Sequence, residues 1–249
     1  MQVACPPELL AKIELLMKSM LDMVDDKESA IRQRIFAFFL GLCQVRKDIF
    51  VSHSNTIFPR LAKCMWDTDK GARRACFMIL WEFLSVHDEG ESSQVIQLVI
   101  PYLSDLVPAF IVNSVLSDED KDNLLGAVSQ FIETNKIYEK GMESIEDEEA
   151  FQIEDEDDEI LDANGAYTLR KISLRCLIKI FEFMGNTAFQ LIKQPMGEMI
   201  TSKDPYKVEA AACVLGSVGN NCLDELRPDL GAFLATLLNC AQSSNQFLQ

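Results

Sequence analysis

The spacing of apolar residues decides most of what this chain can become. They recur at intervals of three and four almost throughout, and the alternation of a half-buried strand is absent. No Asn-Gly or Asp-Gly pair joins two strand-like runs. The pattern predicts an all-α fold with helices over 8–24, 29–45, 55–66, 70–86, 92–116, 167–184, 187–201, 205–218 and 223–241. Pro101 and Pro108 are expected to bend or break the fifth. Pro59 fits a first turn or a kink in the third. Gly185 and Gly219 lie just past two predicted helices, where C-cap glycines are enriched.

The helices come in pairs, and the second member of each pair falls in register with the others. Ile31-Arg32, Ala72-Arg73, Leu169-Arg170 and Val208-Glu209 start equivalent apolar faces. The first step is about 41 residues and the last about 39. The middle step is about 97, one repeat plus roughly 55 inserted residues. A two-helix unit with a period of about 40–47 residues is the HEAT/armadillo signature. One pair cannot bury its own apolar face, whereas a stack of pairs buries a continuous core. The reading is a right-handed α-α superhelix, a HEAT-repeat solenoid of about five helix pairs. Residues 1–116 and 167–249 form the repeats, and 117–166 form one acidic, largely disordered loop inside a repeat. The last pair is expected to stop after its first helix, near Gln242, as in a piece of a longer solenoid. A plain helical bundle is the alternative.

The insertion has an unusual composition. Residues 143–162 hold twelve carboxylates and no Lys or Arg. Burying even one unpaired carboxylate is prohibitive, so the run is expected to be solvated. It reads either as a solubilising loop or as an anionic arm that competes for a partner, with Glu154, Asp155, Glu156, Asp157, Asp158 and Glu159 as its densest part. The chain's net charge of −16 favours basic proteins or peptides as partners and disfavours nucleic acid. No apolar run is expected to span a membrane, because 95–115 is interrupted by Pro101, Pro108 and Asp105.

The residues of known chemistries are missing. The eight cysteines are scattered without a C-x-x-C pair and read as reduced, core-filling thiols. His53 and His87 lack metal-ligand spacing. No Gly-rich loop opens a helix. Catalytic, cofactor and metal residues are therefore expected to be absent, and the chain is not read as an enzyme. Trp66, Trp81 and the Phe36/Phe38/Phe39 cluster read either as a peptide-binding stripe or, as helical spacing favours, as core, with Phe38 the more exposed member.

The segment Glu154-Asp-Glu-Asp-Asp-Glu-Ile-Leu-Asp162, followed by Tyr167-Thr-Leu-Arg-Lys-Ile-Ser, resembles the acidic loop and following helix of transportin-type importin-β (karyopherin-β) receptors. Tyr206-Lys-Val-Glu-Ala-Ala-Ala-Cys-Val-Leu-Gly resembles that family's next second helix. The resemblance implies a nuclear import receptor shuttling between cytoplasm and nucleus. Its partners would be cargo with a basic or Pro-Tyr-type nuclear localisation signal, Ran-GTP and nucleoporins, and the acidic loop would promote cargo release. The alternative is a HEAT scaffold of a multiprotein complex. The positions matching the family's cargo groove are Leu174, Arg175, Ile178 and Cys213. Here the expected carboxylate is replaced at Ile178, a cation stands at Arg175, and Tyr167 replaces the family's Trp.

Overall fold

The computed structural model describes residues 7–85, 95–117, 121 and 168–242. Among the described residues all regular structure is helical and no strand occurs. The elements are α1 (Pro7–Asp22), α2 (Ser29–Val45), α3 (Lys47–Ser52), α4 (Ser54–Cys64), α5 (Lys70–Leu84), α6 (Leu103–Asn113), α7 (Leu169–Met184), α8 (Asn186–Ile200), α9 (Pro205–Val218), α10 (Leu223–Leu226) and α11 (Leu230–Ala241). The spans of α2 and α9 coincide with those predicted.

The second helices form one layer. Helix α2 packs on α5, α5 on α7, and α7 on α9. The contact between α5 and α7 matters most, because Leu84 and Leu169 are separated by the whole insertion yet their helices are direct neighbours. First helices lie behind: α4 against α5, α6 against α7, and α8 against both α6 and α9. Each buries the face carrying its large apolar residues, in keeping with an amphipathic stripe facing a core. The core runs through the stack without a break, from Met17 to Leu226.

Aromatic contacts tie successive pairs together. Phe83 of α5 lies 5.4 Å from Phe50 of α3 and 5.1 Å from Phe58 of α4, centroid to centroid. Phe58 in turn lies 5.6 Å from Tyr102, in the turn before α6. Tilted and edge-on pairs at these separations add to area burial.

Proline and glycine act less uniformly than their positions suggest. The predicted third helix is α4, with Pro59 inside it, and a short helix that was not predicted, α3, precedes it across His53, where the backbone leaves helical geometry. Pro101 lies in a 3-10 turn, Ile100–Tyr102, whereas Pro108 is accommodated inside α6. The last predicted helix is also divided, by a 3-10 turn over Arg227–Asp229 that contains Pro228. Gly185 adopts φ 54°, the left-handed geometry that favours glycine. Gly219 is the C-cap of α9, its N–H donating to the Leu215 carbonyl, but it stays in right-handed geometry at φ −56° and opens a 3-10 turn against Leu226.

Two further expectations are corrected. Trp66 is 52% exposed rather than core, because α4 ends at Cys64 and the indole falls in the turn before α5. The stretch Val95–Asn113 is long and apolar enough, by length and composition, to cross a membrane. Half of it is buried inside the protein, and α6 packs on α7 and α8. Among the described residues the cysteines are free thiols, and Cys43, Cys64, Cys76, Cys176 and Cys222 are buried. Burial pushes the Cys43 thiol up to about 12, so it is protonated at neutral pH. His87 and Cys5 lie outside the described residues.

Candidate partner-binding face

The column of residues that aligned the repeats turns out to be a polar ladder. Arg32 donates from Nε and Nη2 to the two carboxylate oxygens of Asp67, each at 2.7 Å, and from Nη1 to the Asp26 carbonyl at 2.7 Å. One repeat on, Arg73 donates to the Asp67 and Thr68 carbonyls and to Asn113 Oδ1. Past the insertion, Arg170 pairs with Glu209 of α9 through both terminal nitrogens and also meets Cys213 Sγ at 3.0 Å. Each arginine thus ties its own second helix to the following repeat. Bidentate guanidinium–carboxylate geometry makes these pairs stronger than single hydrogen bonds.

Asp69 caps α5. Its side chain accepts from Ala72 N at 2.7 Å and from Gln33 Nε2 of the preceding repeat at 2.7 Å. The Gln33 bond, opposed by burial and aided by the Ala72 N–H, holds the Asp69 carboxyl below its ordinary range. At Asp67 burial acts upward, but Arg32 and the Asp69 N–H prevail and lower it. The sign follows. Two carboxyls lowered by folding stabilise the protein above the unfolded value of about 3.9, and that stabilisation is lost as pH falls through their folded values. Melting temperature is expected to lose this contribution only below about pH 4, and Asp67→Asn to flatten the acid limb. A melting series from pH 7 to pH 2 on parent and variant checks both.

Thr168 caps α7 as it leaves the insertion, its Oγ1 accepting from Lys171 N at 3.2 Å. Thr168→Ala is expected to cost about 1 kcal/mol, measured by urea unfolding.

The other edge of the second-helix layer is the candidate face. On α5, Arg74, Met78 and Trp81 share a side at spacings of four and three, as do Lys171, Arg175 and Ile178 on α7. The two stripes lie side by side. The Arg175 guanidinium carbon is 5.5 Å from the Trp81 ring centroid, and the Cys176 thiol donates to the Phe77 carbonyl at 3.6 Å. All six side chains are half-buried, so they shape a surface while keeping part of themselves in water.

The predicted groove positions are only partly brought together. Leu174, Arg175 and Ile178 are half-buried on α7, with Leu174 also packed on the core. Cys213 belongs to the ladder, donating to Glu209 at 3.1 Å and meeting Arg170. Glu154, Asp155, Glu156, Asp157, Asp158 and Glu159 lie outside the described residues. Two anchors of the insertion are described. Lys70 Nζ meets Ser117 Oγ at 3.2 Å, and Lys121 Nζ lies 4.1 Å from the Tyr206 ring centroid. The insertion therefore starts beside the N-terminal ends of α5 and α9, and it returns at Thr168, the N-cap of α7.

One signal was countable in the sequence and had gone unread: the second helices are basic. Helix α2 has Arg32 and Arg34 and no acid. Helix α5 has Lys70, Arg73 and Arg74 against Glu82, and α7 has Arg170, Lys171, Arg175 and Lys179 against Glu182. Helix α9 is balanced, with Lys207 and Glu209. The layer carries a net charge of +7, from ten cations and three anions, in a chain of −16. Among the described residues no group of three or more His, Cys, Asp or Glu side chains is placed to hold a metal ion.

No protein-family model and no curated protein matches the chain. Solved structures do match. The crystal structure of Kap121p bound to Pho4p aligns with a TM-score of 0.62 at 16% identity, over 98% of this chain and 21% of that one. The structure of Kap121p bound to RanGTP gives 0.62 at 16% identity, with 98% and 22% covered. That of Kap121p bound to Nup53p gives 0.62 at 17%, with 98% and 21% covered. Kap121p is a karyopherin. The all-α fold is that of a karyopherin HEAT-repeat region, and the chain spans about a fifth of the length of the structures it matches.

Proposed function

We propose that this chain is the cargo-holding segment of a nuclear transport receptor. It holds a protein partner on the face of its second helices and shuttles with that partner between cytoplasm and nucleus. The acidic run and Ran-GTP promote release. The observation that carries the reading is the direct packing of α5 on α7, with an anionic insertion leaving and re-entering at the corner between them. A segment tethered at both ends beside a basic layer has a high effective concentration there. It can displace a bound partner without any change in the fold.

The likeness to Kap121p supports the same reading, since its solved complexes include RanGTP and Nup53p. The segment acts by binding, and the half-buried Met78, Trp81, Leu174 and Ile178 supply the apolar part of the recognition surface.

The test uses a fluorescent peptide ending in Pro-Tyr, of the signal type the family resemblance implies. Anisotropy is expected to show binding that tightens several-fold when residues 143–162 are replaced by a short Gly/Ser linker. Ran-GTP, and not Ran-GDP, is expected to weaken it. Indifference to peptide, linker and nucleotide state together would overturn the receptor reading in favour of a HEAT scaffold.

A further inference from the structure

Helices α5 and α7 each have a second helix on both flanks, whereas α9 has one, α7. On the other flank of α9 an apolar groove opens towards α11. It is lined by Val208, Ala212 and Leu215 of α9 and by Leu230, Leu234 and Leu237 of α11, and no charged side chain lines it. A fifth second helix of the layer would lie there, and among the described residues no helix follows α11. We infer that the groove takes α11 of a second copy of this chain, giving a dimer with a twofold axis at the end of the stack. The dimer goes beyond the receptor reading and does not depend on it, because the α5/α7 face lies further back in the layer.

Three observations name the occupant. First, α11 itself has the composition that the groove calls for. Its 12 residues hold four leucines, a phenylalanine and no charged side chain. One helix can therefore be a wall in its own copy and the occupant in the other, as a self-complementary twofold contact requires. Second, α11 is apolar on more than its groove side. Leu230, Leu234 and Leu237 share that side at spacings of four and three, and Leu238 stands about 100° round from Leu237, 63% exposed. A helix that is apolar this far round is a buried one. A single helix lying in the groove would cover the leucine stripe and leave Leu238 in water. A second copy brings its α9 alongside its α11 and covers both sides. Third, α9 is shaped for close approach. Ala212 and Gly216 lie one turn apart on its groove side, and nothing stands within 4 Å of the point where a side chain at Gly216 would begin.

Charge agrees with an uncharged occupant. A charged ligand would give up its water in the groove and find no counter-charge. Two copies at −16 repel each other at long range, but charge beyond about 8 Å is screened at physiological salt. The surfaces that meet are neutral.

The experiment is sedimentation velocity on the full chain at physiological salt, from about 1 to 100 µM, the range in which an interface of modest affinity titrates. The parent is expected to pass from monomer to dimer with no larger species. Leu234→Glu with Leu237→Glu, and Leu234→Lys with Leu237→Lys, are each expected to weaken the dimer roughly tenfold or more, because like charges then face each other. Mixed in equal amounts, the two variants are expected to dimerise again, because a twofold axis sets the same stripe of both copies together. Circular dichroism confirms that each variant is folded. Should either fail to fold, Leu238→Gln, at a position already in water, reads the same contact and is expected to weaken the dimer several-fold. A chain that stays monomeric throughout overturns the inference and leaves the groove to a helix of another protein or of a further repeat. Dimers that survive both charge variants, or a mixture of the two that stays monomeric, also overturn it. So do species that keep growing past the dimer, as a head-to-tail contact gives.

Discussion

Replacing Phe83 with alanine is expected to destabilise the protein by about 3–5 kcal/mol, the range for truncating a fully buried phenylalanine. Phe83 is fully buried and touches Phe50 and Phe58, so its ring joins the second helix of one repeat to both first-helix segments of that repeat. Removing it leaves a cavity where three elements meet. Domains of this size hold about 5–15 kcal/mol in total, so the loss is a large share. Urea unfolding should show the midpoint falling steeply. Phe38→Ala is the comparison: Phe38 is half-buried at the edge of the same core, and its loss should cost much less. Equal effects at both positions would mean that the aromatic cluster is not a packing centre.

The second large effect is expected at the far side of the insertion. Arg170→Ala removes one member of a pair that is mostly out of water, with side-chain exposures of 15% for Arg170 and 22% for Glu209. Deleting one partner strands the other charge, at a cost of about 3 kcal/mol. Burial opposes the Arg170 charge, but the Glu209 carboxylate prevails and raises the guanidinium's pKa further. Replacing both partners by apolar residues, Arg170→Met with Glu209→Leu, should recover most of the loss, because no stranded charge remains. A double-mutant cycle by urea unfolding reads the coupling directly. Additive effects would show that the two groups do not depend on each other.

The repeat architecture was legible from a few residues. Ile31-Arg32, Ala72-Arg73 and Leu169-Arg170 mark helix starts because each arginine must reach the next repeat, and that requirement fixes both position and residue type. Helix ends were less legible where proline stood inside an apolar run. Pro108 is absorbed by α6 while Pro101 and Pro228 fall in 3-10 turns, and local sequence alone does not distinguish these outcomes. Trp66 reads as core in the sequence because apolar spacing continues two residues past the end of α4. On the candidate face, Arg175 and Ile178 were readable as surface positions. The basic charge of the second helices was not, because net charge averages them with an acidic insertion.

Helices α2, α5, α7 and α9 form an unbroken layer, and the central claim is that this packing does not depend on residues 143–162. Thermal unfolding of a variant in which residues 143–162 are replaced by a short Gly/Ser linker tests this most directly. If α5 and α7 pack on each other independently of the run, the variant should melt in one cooperative transition within about 3 °C of the parent, a shift worth roughly 1 kcal/mol in a chain of this length. A lost transition, or two separate ones, would show that the run holds the halves together and would contradict the account.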